Sequence, residues 1–307
     1  MKNILVLHYS QSGQLTDIVN NIVGPIKNTE TTITYFNIEM EKSFPFPWTK
    51  TLFFDVFPET FLQIPQKTKP IPETILNNTY DLIIFGYSVW YLTPSLPTTS
   101  FLNSPQAINL FKNTPVVTVI GCRNMWIIAQ EKIKKQLIDL NSKLVGNIVL
   151  VDRHINHISV ITIVQWMFTG VKKRFLGIFP KPGVSQKDID ESVKFGHVIV
   201  QHLQSGDYTK LQDNLLQEKA VTIKPFLALA DKRANVLFNK WANFIYSKSL
   251  KNPNKKEFLL KLFKFYLLFA IWVIAPIVFI LFLLTYIPLM GKIKKDKAYY
   301  SSVAYKS

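Results

Sequence analysis

Five short runs dominated by apolar and branched residues constrain the fold of this chain more than any other feature. They are Ile4–Tyr9, Thr32–Ile38, Asp81–Tyr87, Pro115–Gly121 and Leu144–Val151. After the first run, Leu15, Ile18, Val19, Ile22 and Val23 recur at helical spacing, and an amphipathic helix is predicted from about Trp126 to Leu140 after the fourth. Apolar strands separated by helices read as a parallel sheet covered on both faces. The expectation is an α/β fold with a doubly wound five-stranded parallel sheet, whose ligand sits beyond the carboxyl ends of the strands.

The first domain is expected to span residues 1–204, closed by a helix from Ser185 to Gln204 with Ser185 as its N-cap. Two stretches exceed a minimal five-stranded domain. Residues 40–80 are crowded with prolines and aromatics such as Phe44, Phe46, Trp48, Phe53 and Phe57. Residues 154–182 carry Trp166, Met167, Phe168, Phe175 and Phe179. Loops this long are usually lids or extra helices, and these suit either a greasy pocket or extra core.

Residues 205–257 read as a basic helical linker, 258–290 as a membrane segment and 291–307 as a basic tail. The uncharged stretch Phe265 to Met290 exceeds the roughly 20 residues needed to cross the hydrocarbon core. Lysines crowd both ends, at Lys255, Lys256, Lys261 and Lys264 and again at Lys292, Lys294, Lys295 and Lys297. The flanking charge therefore does not orient the segment. A single span and a bent insertion at Pro276 both remain open, the second keeping both ends on one side.

The net charge is +16, and the last third, with 17 Lys/Arg and 6 Asp/Glu from Ser205 onward, supplies +11 of it. Basic residues flanking an apolar run point to anionic lipid, and no nucleic-acid motif accompanies them. The one cysteine, Cys122, allows no intrachain disulfide and fits a reducing compartment. The N-terminus runs straight into a strand without a secretory pattern. The expected location is the cytoplasmic face of an inner membrane.

The strongest chemical signal is Tyr9-Ser10-Gln11-Ser12-Gly13-Gln14-Leu15-Thr16, between the first strand and the first helix. A phosphate at a helix N-terminus is held by free backbone N–H groups and the helix dipole. Hydroxyls at Ser10, Ser12 and Thr16 add donors, and Gly13 permits close approach. There is no P-loop lysine. The loop resembles the flavodoxin phosphate signature, hydroxyl-x-hydroxyl-Gly-x-hydroxyl, with Leu15 where the last hydroxyl usually stands. That resemblance implies FMN held by Ser10, Gln11, Ser12, Gly13, Gln14, Leu15 and Thr16. It further implies that the loop after the third strand (Ser88, Val89, Trp90, Tyr91) and the loop after the fourth (Gly121, Arg123, Asn124, Trp126) wrap the flavin ring.

Four stretches sharpen the likeness: Phe46-Pro47-Trp48-Thr49, Trp90-Tyr91-Leu92-Thr93-Pro94-Ser95-Leu96-Pro97, Gly121-Cys122-Arg123-Asn124-Met125-Trp126 and Val145 to His154. Over about Met1 to Gln204 the chain is similar to the flavodoxin-like enzyme of bacterial dialkylresorcinol and flexirubin pigment clusters, a family often labelled dialkylresorcinol condensing enzyme. The resemblance implies aromatisation of a dialkylated cyclohexanedione supplied by a partner ketosynthase. By analogy with the fold it also implies a homodimer.

Such a reaction needs a hydride acceptor and a proton acceptor. His154, oriented by Asp152, is the expected acid/base, with Tyr91 as an alternative proton donor. Arg123 or Arg153 would stabilise an enolate oxygen. His8, inside the first strand, reads as core. His154 and His157 without further ligands do not make a metal site. The competing functions are an NAD(P)H:quinone reductase and a non-catalytic electron carrier or scaffold. Cys122 alone does not support condensing chemistry.

Overall fold

The computed structural model describes residues 1–28 and 30–305. Five parallel strands build the sheet: β1 (Lys2–His8), β2 (Thr31–Asn37), β3 (Leu82–Trp90), β4 (Pro115–Cys122) and β5 (Lys143–Val151). Their spatial order is β2-β1-β3-β4-β5, and all their pairings are parallel. This is the flavodoxin-like order, with its switch point between β1 and β3. β3 runs past its expected end at Tyr87 because Val89 and Trp90 pair with Pro94 and Thr93 in a short antiparallel return.

Besides a single helical turn at Glu73–Leu76, the helices of the first domain are α1 (Gln14–Val23), α2 (Lys50–Asp55), α3 (Phe57–Phe61), α4 (Leu96–Leu102), α5 (Pro105–Phe111), α6 (Ile127–Asp139), α7 (Asn156–Thr169), α8 (Gln186–Asp190) and α9 (Val193–Ser205). There follow α10 (Leu211–Gln217), α11 (Pro225–Lys251), α12 (Lys255–Phe269), α13 (Ala275–Thr285) and α14 (Met290–Ser301). Alternate residues of each strand serve opposite faces of the sheet. Ile4, Val6 and Ile84 pack under Ile18 of α1 and Ile199 of α9. Leu5, Leu7 and Phe85 pack under Phe101, Phe111 and Ile133 on the other side.

The predicted closing helix is broken in two. Ser185 Oγ accepts from Asp188 N at 3.1 Å, as an N-cap does. The chain then turns at Glu191 and Ser192 before α9, and the buried Ser192 hydroxyl donates to Ile189 O at 2.6 Å. Residues 205–257 do not form a free linker. Leu211 and Leu215 of α10 enter the core beside Val117 and Ile148. Their spacing of four was a readable signal, masked by the surrounding charge.

α11 and α12 pack with the 40–80 insertion in a third core: Phe57 and Phe61 of α3, Phe238 and Ala242 of α11, Leu259 and Phe263 of α12. The Phe57 and Phe263 rings stack at 3.9 Å. α12 and α13 form one continuous helix, Lys255–Thr285, long and apolar enough to cross a membrane by length and composition. A π-turn at Ala270–Ile274 joins its halves. The basic tail folds back: Tyr300 is buried in the same core as Ile133 and Leu144.

Candidate functional site

A cavity of about 540 Å³ opens where the carboxyl ends of β1, β3 and β4 meet, within the ~300–1,000 Å³ typical of small-molecule sites. Its floor is the β1–α1 loop, its sides are the loops after β3 and β4, and its far wall comes from α2, α7, α11 and α12. Both aromatic-rich insertions therefore contribute lining, through Phe46, Trp48 and Phe53 from one and Val160, Trp166 and Phe168 from the other.

At the floor, Gly13 takes the N-cap position of α1 in the left-handed region, φ +83°, with no side-chain cap. Such backbone strongly favours glycine. The N–H groups of Gly13, Gln14 and Leu15 have no acceptor among the described residues; the first helical bond, from Asp17 N, goes to Gly13 O. These free donors, with the Ser10 and Ser12 hydroxyls beside them, suit an anionic group.

Several side chains of this loop do other work. Leu15 is buried in the core. The Thr16 hydroxyl, expected on the phosphate, is engaged with His8 Nε2 at 3.0 Å. Gln14 grips the 183–184 segment instead, donating to Val184 O at 3.1 Å and accepting from Val184 N at 3.0 Å. Gly183 makes that contact possible: it has φ +80°, and a Cβ there would meet Gln14 Oε1 at 2.7 Å. Gln11 donates to Pro45 O. Burial lowers His8 to about 4, so the imidazole under the loop is neutral at physiological pH.

Ser88, Val89, Trp90 and Tyr91 line the cavity. Trp90 meets Tyr9, Phe44 and Trp48 edge to face at 6.0, 5.3 and 5.1 Å. Tyr91 and Leu92 both take positive φ, 51° and 65°, a conformation costly for bulky residues. Tyr91 is held there between Phe53 and Phe57, at 5.1 and 5.0 Å, and its hydroxyl donates to Phe53 O. That hydroxyl is thereby committed, and burial pushes its pKa well up. Tyr91 is not a poised proton donor.

Gly121, Arg123 and Asn124 also line the cavity. Arg123 Nη1 donates to Asn156 Oδ1 at 2.9 Å, and Asn124 Nδ2 donates to the same oxygen at 2.8 Å. Burial lowers the guanidinium to about 10, with Asp152 opposing the shift. Asn124 Oδ1 is buried without a partner among the described residues, which leaves an acceptor for a ligand N–H. Trp126 is not part of this wall. It is buried in the core beside Ile127 and Val149, because the chain enters α6 there and turns the indole under the sheet.

His154 stands apart. It does not line the cavity, and its side chain is 37% exposed. The buried Asp152 takes the inward position after β5 and holds His154 Nδ1 at 2.6 Å and Ser159 Oγ at 2.7 Å. Arg153 is also outside, paired with Asp188 at 2.7 Å. Cys122 reaches the wall, but burial and the Asp231 charge push its thiol above the usual range. Among the described residues, the lining carries the cations Lys50, Arg123 and Lys264 and no Asp, Glu or His. No group of three or more His, Cys, Asp and Glu suitable for a metal occurs among the described residues.

The sequence reading missed Asn156 and Asp231. Asp231, fully buried on α11, accepts from Ile128 N at 3.3 Å and so caps α6, whose own N-cap position offers no side chain. A lone acid in a basic helix was the available signal.

No family model matches this chain, and no curated protein matches it. Among solved structures it is similar to a flavoprotein from Lactobacillus acidophilus in complex with FMN, at 17% identity and TM-score 0.39, covering 48% of this chain and 93% of that one. It is similar to oxidised flavodoxin 1 from Bacillus cereus, at 14% and 0.36, covering 65% and 98%. A flavone reductase is similar at 9% and 0.37, covering 66% and 63%. The fold assignment rests on the strand order.

Proposed function

We propose that the cavity binds FMN, with its phosphate on the Gly13–Leu15 amides and the Ser10 and Ser12 hydroxyls. In this reading the ring lies between the loops after β3 and β4. The observation that carries it is the set of unpaired helix N–H groups at the floor of an aromatic-walled cavity at the sheet's switch point. The unpartnered Asn124 Oδ1 fits a ring N–H. Bound there, FMN would supply hydride-accepting chemistry.

The reaction we infer is oxidation of an apolar cyclic dicarbonyl to a phenol, the dialkylcyclohexanedione-to-dialkylresorcinol conversion implied by the sequence resemblance. The cavity extends past the flavin loops to Val160, Phe238, Leu267 and Ile271, which gives room for alkyl chains and argues for an enzyme over an electron carrier. Arg123 provides a buried cation for an enolate oxygen. A 1,3-dicarbonyl ionises readily between its carbonyls, and the resulting enolate oxygen is the group Arg123 would hold. The proton on the ring carbon beside the one that would give up hydride must leave separately, and with no carboxylate or imidazole in the lining among the described residues its acceptor is water. Membrane attachment and supply by a ketosynthase complete the reading.

The test is the visible spectrum of detergent-purified full chain, with the released cofactor identified by mass. Stoichiometric FMN that bleaches with a dialkylcyclohexanedione supports the proposal. Bleaching by NAD(P)H and not by the dione would assign a quinone reductase, which an aromatic-walled cavity also suits. No flavin after reconstitution with excess FMN would overturn both.

A further inference from the structure

The Lys255–Thr285 helix does not stand away from the domain. It runs antiparallel along α11, with Phe238 against Phe263 at 5.5 Å near one end and Phe226 against Phe279 at 4.8 Å near the other. Leu259, Leu260, Phe263 and Phe282 are buried along this inner face. Midway, His157 Nε2 of α7 meets Ile271 O at 3.1 Å.

The chain beyond the helix returns to the same domain. Lys232 pairs with Asp296 at 2.7 Å. Gln212 Nε2 donates to Ser301 O at 2.8 Å, and Leu144 N donates to Tyr305 Oη at 3.1 Å. Both ends of the helix are thus fastened to one body. A segment crossing a bilayer would place those ends on opposite sides, and α14 could not then make these contacts.

From Phe265 onward the outer face is apolar. Phe265, Trp272, Ile280 and Leu284 are exposed, and no charged residue occurs between Lys264 and Lys292. So large an exposed apolar surface marks an interaction site. The lysines at both ends match anionic headgroups. The edge between the two faces, Lys264, Leu267, Leu268 and Ile271, is also part of the cavity wall.

We propose that this helix lies in the plane of one leaflet, its outer face among the acyl chains and its terminal lysines on anionic lipid phosphates. The cavity then opens beside the helix into the leaflet, and an apolar substrate passes from lipid to the site without entering water. The substrate half rests on the function proposed above; the membrane geometry does not.

The experiment adds the full chain, with different epitopes at its two ends, to preformed sealed vesicles of phosphatidylcholine with phosphatidylglycerol. In-plane binding leaves both epitopes open to external protease. Protection of the C-terminal epitope alone would mean a span and would overturn the proposal. Removing phosphatidylglycerol should weaken vesicle binding at least about tenfold, since each basic residue near the surface contributes about 1 kcal/mol. The double variant Ile280→Glu with Leu284→Glu, on the outer face and remote from the cavity, should lose vesicle binding by a similar factor while its circular dichroism is unchanged. Unchanged binding of that variant, or a stable dimer that ignores vesicles, would overturn the proposal. None of these readouts needs flavin, so they stand or fall separately from the catalytic reading.

Discussion

His157 Nε2 lies 3.1 Å from the carbonyl oxygen of Ile271, and it supplies the donor that the helix itself cannot. In the π-turn, Ala275 N–H bonds to Ala270 O, one residue farther back than α geometry requires. The next residue is Pro276, which has no N–H. Ile271 O is left without a helical partner, and the imidazole takes its place, with its ring 5.2 Å from Trp272. This carbonyl is part-buried, so losing its partner costs toward the lower end of the roughly 1–3 kcal/mol of a buried unsatisfied group. His157→Ala should therefore raise amide exchange across residues 270–280 and lower the thermal midpoint. His157→Gln, which keeps a donor, should recover most of the loss. Hydrogen-exchange mass spectrometry on the full chain checks this.

The phosphate cradle can be separated from the ring pocket with two ligands. Gly13→Ala forces a side chain into φ +83°, at about 1–2 kcal/mol, and disturbs the amides that would meet phosphate. Gly13→Asp adds a like charge as well. Fluorescence titration should show FMN affinity falling about tenfold for the first variant and further for the second. Riboflavin, which has no phosphate, should bind all forms alike. Equal losses for both ligands would place the phosphate elsewhere.

The strands and three loops were legible because buried β-runs and strand-following polar residues obey local rules. What failed was direction. Trp126 and Asn124 are two residues apart, and only the path into α6 decides that one turns under the sheet while the other meets the cavity. At the end of β5, Asp152 turns inward and His154 outward, although an imidazole is the more familiar proton carrier. Thr16 has the hydroxyl the phosphate loop needed, but His8 beneath it takes that hydroxyl. The role of α11 was hidden because its contacts, such as Asp231 with Ile128, join residues about a hundred positions apart.

Arg123 should matter more to turnover than His154. Arg123 lines the cavity and is aimed by Asn156. Loss of an oxyanion donor, the role proposed for Arg123, costs about 10²–10³ in kcat. Arg123→Gln should show that loss with the flavin spectrum retained. Arg123→Lys should recover only part of it, because an ammonium lacks the planar fork. Asn156→Ala should lower kcat by a smaller factor. His154→Ala and Cys122→Ser should leave the rate near wild type, one side chain lying outside the cavity and the other held protonated. Single-turnover reduction of the bound flavin by the dione measures all five. A collapse with His154→Ala would restore it as the acid/base.

Asp231 should make the docking of α11 pH-dependent. Burial raises its carboxyl to about 7, against roughly 3.9 in an unfolded chain. The folded state therefore holds this proton more tightly, and stability falls as pH rises from about 4 through 7. Above pH 7 the amides capping α6 and the nearby Lys132 offset only part of the desolvation of the buried charge. Asp231→Asn keeps a capping oxygen and removes the charge. The variant should match wild type near pH 4 and exceed it in thermal midpoint at pH 8, with the difference growing across the interval. His8 works in the opposite sense: folding keeps it neutral, so its contribution is lost as pH falls from about 6.5 toward 4. Subtracting the Asp231→Asn profile from wild type removes that shared background. A flat difference would show that Asp231 is ionised at no cost and that its cap on α6 is an ordinary surface contact.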